Sequence, residues 1–393
     1  MKQANGPRVS DVFRAGLRSC SHEWISRDKQ KIIDAILACR TSALGGHISE
    51  CGRCGRREQS YNSCWNRHCP SCQGGKAFQW VSERAQELLP VPYYHVVFTL
   101  PSEVRNLCYR NKKIVYDCMF QAASESMQEA ASRKHQVQLG FFGILHTWNQ
   151  ELQYHPHNHF VVPAGGLTRE GEWRNFPSAS KFFLPVRVLS KLFKGKFIWH
   201  LKNAYRNNLL YLENELSPLQ NPKDFEHLIS KAASQDWVVY AKRPFGGPGQ
   251  VLKYLASYTH RVGISERRIV ALTNGDVSFS ARSRGEKQKK KIVTIPAHLF
   301  IRRFLLHTLP KGFRRIRYFG FLVNHIRAKR IGAIHQNLEF APPPQEITLN
   351  RCLHCHIGTT TIVHLLKPHR SRTRQPLRAF ADPIRQSSLA QAP

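Results

Sequence analysis

Acidic side chains are scarce. The 393 residues hold 26 Asp and Glu against 59 Lys and Arg, a net charge of +33 and a pI near 10.2. A field of that sign attracts polyanions, and each phosphate neutralised releases counterions, so nucleic acid is the expected partner. No basic amphipathic anchor stands out, which sets a membrane surface aside. Long apolar runs are also missing. No stretch of 18 or more apolar residues exists, so no transmembrane helix is expected. The opening residues, MKQANGPRVSDVF, lack the apolar core of a secretory signal. A cytosolic protein is expected. In that compartment the 11 cysteines read as thiols or metal ligands rather than disulfides. No internal repeat is visible. What is present suffices for a fold: 41% hydrophobic residues support a buried core, and the length allows two or three domains.

Apolar residues at Ile32, Ile33, Ile36 and Leu37 recur at helical spacing, placing helix between about Val9 and Arg40. A cysteine- and glycine-rich stretch runs from Gly45 to Gly75, and a further helix ends before Pro90 and Pro92. Tyr93–Leu100 reads as a buried strand, then a helix spans roughly Ser102 to Arg133. Val137–Asn149 and Asn158–Pro163 read as strands. The region from about 180 to 235 reads as helical, Trp237–Ala241 as a short strand and about Gln250–Thr259 as a helix. Ile264–Ser280 reads as a hairpin turning at Asn274-Gly275. From Ala281 to Arg330 there are fifteen Lys or Arg and one acidic residue, Glu286. The organisation expected is residues 1–90 as a zinc-bearing DNA-binding module and 91–341 as a catalytic domain, with a helical insertion at about 180–235 and a basic part at 281–330. Residues 342–393 are expected as a flexible basic tail.

Cys51-Gly-Arg-Cys54 and Cys69-Pro-Ser-Cys72 are two CxxC units 14 residues apart. Each turn directs two thiolates to one point, so together they are expected to hold one tetrahedral structural Zn²⁺. His47, Cys64 and His68 are additional candidates. Cys352-Leu-His-Cys355-His356 is a half-site that only His354, His356 or His364 could complete locally. Arg53, Arg56, Arg57 and Arg67 suit phosphate contact.

His155-Pro-His157-Asn-His159 is the sharpest feature of the middle of the chain. Alternate strand residues share a face, so His157 and His159 project together as two imidazoles for one divalent ion. Tyr254 and Tyr258, spaced i and i+4, place two hydroxyls on one helix face. Such phenols are nucleophiles once phenolate character is favoured by a metal-bound phosphate or by Lys253, His260 or Arg261.

The sequence resembles the two-tyrosine rolling-circle transposases of the insertion-sequence-ninety-one family, within the HUH-endonuclease superfamily. The resemblance rests on YNSCWNRHCPSCQG at Tyr61–Gly74, VPYYHVVFTLP at Val91–Pro101, LHTWNQELQYHPHNHFVVPAGG at Leu145–Gly166, YLASYTHRVGIS at Tyr254–Ser265 and GFRRIRYFGFL at Gly312–Leu322. It implies an α+β fold: an N-terminal helical, zinc-ribbon-like module followed by a central antiparallel sheet flanked by helices. It implies that His157 and His159 hold Mg²⁺ or Mn²⁺ and that Tyr254 and Tyr258 cleave and rejoin single-stranded DNA through a 5′-phosphotyrosine. The family usually has a hydrophobic residue between the two histidines, where Asn158 stands here, so His155 with His157 is the alternative pair. The third ligand is open, with Gln250, His260 and Glu151 as candidates. Arg302, Arg303, Arg314, Arg315 and Arg317, with Lys253, Arg261, Arg53, Arg56 and Arg67, are the expected DNA contacts. The rival readings are a relaxase or replication initiator, a non-catalytic zinc DNA-binding protein, and a metallohydrolase using His155, His157 and His159.

Overall fold

The computed structural model describes residues 6–19, 24–177, 184–245, 251, 263–282, 289–342 and 351–369. The first elements are helices α1 (Val9–Arg18) and α2 (Arg27–Ala38), strands β1 (Gly46–Cys51) and β2 (Arg57–Tyr61), and helix α3 (Pro70–Ala85). Strand β3 (Tyr93–Thr99), helices α4 (Arg105–Arg110) and α5 (Lys112–His135), and strands β4 (Gly140–Trp148) and β5 (Tyr154–Pro163) follow. A short hairpin, β6 (Gly165–Leu167) and β7 (Trp173–Asn175), leads to helices α6 (Val186–Arg206) and α7 (Pro222–Ser234). Then come β8 (Val239–Phe245), β9 (Ile269–Thr273), β10 (Asp276–Arg282), β11 (Lys290–Pro296), α8 (Ala297–Leu306), β12 (Ile316–Gly320), α9 (Arg327–Asn337) and β13 (Thr360–Leu366). The architecture is α+β, as expected. No helix among the described residues is long and apolar enough to cross a membrane.

The central sheet is antiparallel, with strand order β12-β4-β5-β3-β8. All nine residues of β4 are buried, because the sheet is covered on both faces. One face, carrying Val96, Phe98, Leu145, Phe160 and Val162, packs on α5 and α6. Helix α5 buries residues around most of its circumference, including Tyr116, Phe120, Ala123 and Met127, as a helix held between sheet and helix must. It closes with Arg133, Lys134 and His135 at the negative end of its dipole and with Gln136 in the left-handed region at φ 55°. Close packing also explains Gly143: a Cβ there would lie 2.4 Å from the Phe160 ring. The opposite face, with Tyr93, Phe142, Ile144 and Val161, packs on Leu88, Val251, Phe321 and Ile334.

A separate core joins α1 and α2 to the β9–β10–β11 sheet and α8, through Val12, Phe13, Ile33, Phe279, Phe300 and Phe304. The N-terminal helices therefore share a core with residues far along the chain. The expected hairpin turn is present: Asn274 and Gly275 both have positive φ, at 51° and 84°, the pairing a type I′ turn requires. Residues 351–369, expected in a flexible tail, instead fold back. Their strand β13 pairs antiparallel with β1, making a third sheet of order β13-β1-β2. The β-branched run Thr359-Thr360-Thr361-Ile362-Val363 is the local reason for the strand.

Candidate active site and cysteine clusters

Strands β4 and β5 bring three histidines together. His157 and His159 alternate onto one face of β5, and His146 lies directly across from His157 on β4. Their ligand nitrogens all fall within 4.8 Å of one another. Ring centroids are 4.4 Å apart for His146 and His159, and 4.8 Å for His157 and His159. The His157 Nδ1–H donates to the His155 carbonyl at 2.7 Å, which leaves its Nε2 as the ligand atom. His159 Nδ1 is 2.8 Å from His95 Nε2, so a proton on His159 Nδ1 likewise leaves Nε2. The His146 ring stacks on Trp148 at 4.5 Å. Burial, reinforced by the neighbouring imidazoles, holds His159 well below its ordinary pKa, and burial beside His155 draws His157 down to about 4. Both rings are therefore neutral at pH 7, the state in which imidazole binds a metal.

His146 is the residue that sequence reasoning missed. It sits in an apolar strand, and the signal was there: a polar side chain continuing the same-face series Phe142, Ile144, His146. Among the other candidates, Glu151 is not part of the group and pairs instead with Lys291. His155 offers its carbonyl, while its ring stays outside the group. Gln250, Lys253, Tyr254, Tyr258, His260 and Arg261 lie outside the described residues. The described residues that flank that segment are Val251 and Gly263. Val251 is buried in the core on the histidine-bearing face. A Cβ on Gly263 would lie 3.2 Å from Leu152 and 3.6 Å from His307, whose ring is 5.9 Å from that of Trp148.

The expected single site of Cys51, Cys54, Cys69 and Cys72 is not formed. The two CxxC pairs belong to different clusters. Cys69 and Cys72 gather with Cys39 and Cys64, and Cys51 and Cys54 gather with Cys352 and Cys355. Sequence proximity favoured joining the CxxC units to each other, whereas β1 carries Cys51 away and the end of α2 delivers Cys39. In the first cluster Cys64 and Cys72 sulfurs are 3.7 Å apart. Hydrogen bonds from Cys64, then Cys69 and Cys72, hold the Cys39 thiol far below its usual range. Four thiols at this separation fit tetrahedral zinc, for which Zn–S bonds of about 2.3 Å set sulfurs about 3.8 Å apart. His68 is not in the cluster: its Nε2 accepts the Leu309 N–H at 3.1 Å. His47 also lies outside both cysteine clusters.

The basic candidates divide. Arg53, Arg56 and Arg314 are exposed. Arg67 donates to the Phe313 carbonyl at 2.8 Å, and Arg303 donates to the Glu151 carbonyl at 3.2 Å. Arg317 pairs with Asp117 and lies 4.5 Å over Phe120, while Arg302 lies 5.2 Å over Trp24. Burial draws Arg315 down to about 10.

Two family models match the chain. The one described as "Putative transposase" matches residues 140–330, and the "Transposase zinc-binding domain" model matches residues 12–100. The latter span contains all of Cys39, Cys64, Cys69 and Cys72. "Putative transposase y4qJ" of Sinorhizobium fredii (strain NBRC 101917 / NGR234) is 40% identical over 383 residues, covering 92% of this chain and 96% of that protein. "Transposase for insertion sequence element IS801" of Pseudomonas savastanoi pv. phaseolicola is 28% identical over 333 residues, 84% of this chain and 76% of that one. Among solved structures, the metal-bound conjugative relaxase TrwC in complex with OriT DNA is 12% identical, covering 42% of this chain and 69% of that chain, with a TM-score of 0.24, too slight a likeness to carry an argument. The full-length identity to one transposase and the two domain matches agree: the chain belongs to the insertion-sequence-ninety-one (IS91) family of transposases.

Proposed function

We propose that the chain cuts and rejoins single-stranded DNA by rolling-circle-type transposition, with Tyr254 and Tyr258 as nucleophiles and a divalent ion held by His146, His157 and His159. The observation that carries this reading is the meeting of three imidazoles on β4 and β5 in a transposase-family chain. A bound ion would neutralise charge on the non-bridging oxygens of the scissile phosphate. An all-imidazole donor set suits a first-row transition-metal ion better than Mg²⁺, which takes oxygen ligands. Val251, next to the tyrosine segment in sequence, packs with Ile144 and Val161 on the sheet face that also carries the histidines, which supports assigning the phenols to this site.

In the reaction a phenol oxygen attacks phosphorus and the bond to the 3′ oxygen breaks. The phenol proton passes to that oxygen, leaving a 3′-hydroxyl and a 5′-phosphotyrosine. A later 3′-hydroxyl attacks the phosphotyrosine and restores the phenol, so rejoining needs no nucleotide cofactor. Two tyrosines permit two such transfers. Residues 1–90 are assigned to DNA binding through the zinc module and residues 91–341 to catalysis, with Arg53, Arg56 and Arg314 offering exposed charge to phosphates.

The test is covalent capture of labelled single-stranded oligonucleotide on a denaturing gel. The wild-type chain should form an adduct, and the Tyr254→Phe/Tyr258→Phe chain should form none. An adduct surviving the double substitution refutes the nucleophile assignment. Cleavage without any adduct favours a metallohydrolase, and binding without cleavage favours a non-catalytic DNA-binding role.

A further inference from the structure

The second cysteine cluster joins the two ends of the chain. Cys51 and Cys54 come from the turn after β1, and Cys352 and Cys355 come from just before β13. We infer that these four thiols form a second zinc site, a clasp that fastens the C-terminal segment to the N-terminal module.

The two halves are built alike. In the first, the Gly55 N–H donates to the Cys51 carbonyl at 2.9 Å, with Gly55 at φ 67°. In the second, the His356 N–H donates to the Cys352 carbonyl at 3.0 Å, with His356 at φ 57°. The Cys51 N–H donates to the Arg56 carbonyl at 3.0 Å, and the Cys352 N–H donates to the Gly358 carbonyl at 2.7 Å. Each is a knuckle that turns two sulfurs toward one point. The Gly52 N–H donates to the Thr359 carbonyl at 3.1 Å and ties one knuckle to the other.

The sulfur geometry fits zinc. Cys51 and Cys355 sulfurs are 3.8 Å apart, as are those of Cys54 and Cys352, and all four lie within 4.8 Å. The edge of a tetrahedron with Zn–S bonds of about 2.3 Å is about 3.8 Å. The Gly358 N–H points to Cys355 Sγ at 3.3 Å, a bond that favours thiolate. A Cβ on Gly358 would come 2.5 Å from Cys51 Sγ, so the cluster is packed as closely as glycine allows. Core packing does not account for Cys54, which is exposed.

The sheet that carries the cluster needs such a staple. β2 has the burial pattern eeeie (e exposed, i half-buried) and β13 the pattern ieeeeei. Ile362, Val363 and Leu365 are exposed. A three-stranded sheet with so little buried apolar surface draws its stability from metal binding, which is folding free energy in small metallo-domains. On binding, four thiols lose their protons to solvent and enter as thiolates.

Zinc should be counted in the full chain carrying His157→Ala and His159→Ala, so that only the cysteine sites report. About two equivalents are expected, falling to about one when Cys352→Ser and Cys355→Ser are added. One equivalent in the parent, or two after the cysteine substitutions, overturns the proposal. If the cysteine variant does not fold, zinc-edge X-ray absorption on the parent decides. Two equivalents with four sulfurs each at about 2.3 Å support the clasp. Mixed nitrogen and sulfur coordination, or a Cys51–Cys355 or Cys54–Cys352 disulfide in the mass spectrum, overturns it.

Discussion

At the scale of the residue, the histidine strand combines a useful alternation with an internal cost. His157 and His159 face one side of β5, so Asn158 between them must face the other, into the core of Phe98, Leu145 and Phe160. It is fully buried, and neither polar atom of its amide has a hydrogen-bond partner. An unsatisfied buried amide costs about 1–3 kcal/mol. Asn158→Leu should therefore raise stability by about that amount, read as an increase in the urea midpoint at unchanged m-value; a fall in the midpoint would show that the amide is satisfied in solution. His307 gives a second residue-scale prediction. Its Nδ1 accepts from the Thr147 hydroxyl at 3.2 Å and its Nε2–H donates to the Leu152 carbonyl at 3.1 Å, so the neutral ring is fully used. Burial above all holds its pKa down to about 3. The unfolded chain takes up this proton near pH 6.5 and the folded chain does not. The stability from His307 is thus complete above about pH 6.5 and is lost as pH falls toward 3, at about 1.4 kcal/mol per pH unit. His307→Gln should reduce the slope of unfolding free energy between pH 6 and 4 by about one proton; an unchanged slope would place the titration elsewhere.

At the scale of the element, local signals were legible and distant pairings were not. The Asn274-Gly275 turn declared itself because its two residues tolerate positive φ. The strand at β5 was readable from its apolar continuation Phe160-Val161-Val162. His146 gave a local signal, a polar side chain on one face with Phe142 and Ile144, but its meeting with His157 follows only once β4 is laid in register against β5. The cysteines failed for the same reason: CxxC gives the half-site, but which halves combine depends on the non-local pairing of β1 with β13 and on Cys39 at the end of α2. The close packing of β4 against β5 and α5 offers a test of the sheet. Gly143→Ala inserts a Cβ 2.4 Å from the Phe160 ring and should destabilise the fold by about 1–3 kcal/mol. A neutral result by thermal unfolding would mean that Phe160 has room to move.

At the scale of the whole molecule, a net charge of +33 organises the encounter with DNA rather than the chemistry. Several of the arginines nominated from sequence are committed to internal contacts, among them Arg67 and Arg317. Exposed Arg53 and Arg56 remain beside the Cys51/Cys54 knuckle. Arg53→Ala/Arg56→Ala should weaken single-stranded DNA binding uniformly across sequences and flatten the log–log salt dependence by roughly 0.7 for each phosphate no longer neutralised. An unaltered salt slope would remove the knuckle from the DNA interface. The measurement that bears most directly on the account is Mn²⁺-dependent formation of the protein–DNA adduct by His146→Ala, with His155→Ala alongside. His146→Ala should lose the adduct at Mn²⁺ concentrations that saturate the wild-type chain, while His155→Ala should keep it. Wild-type adduct formation by His146→Ala at the same Mn²⁺ concentration would contradict a three-histidine metal centre.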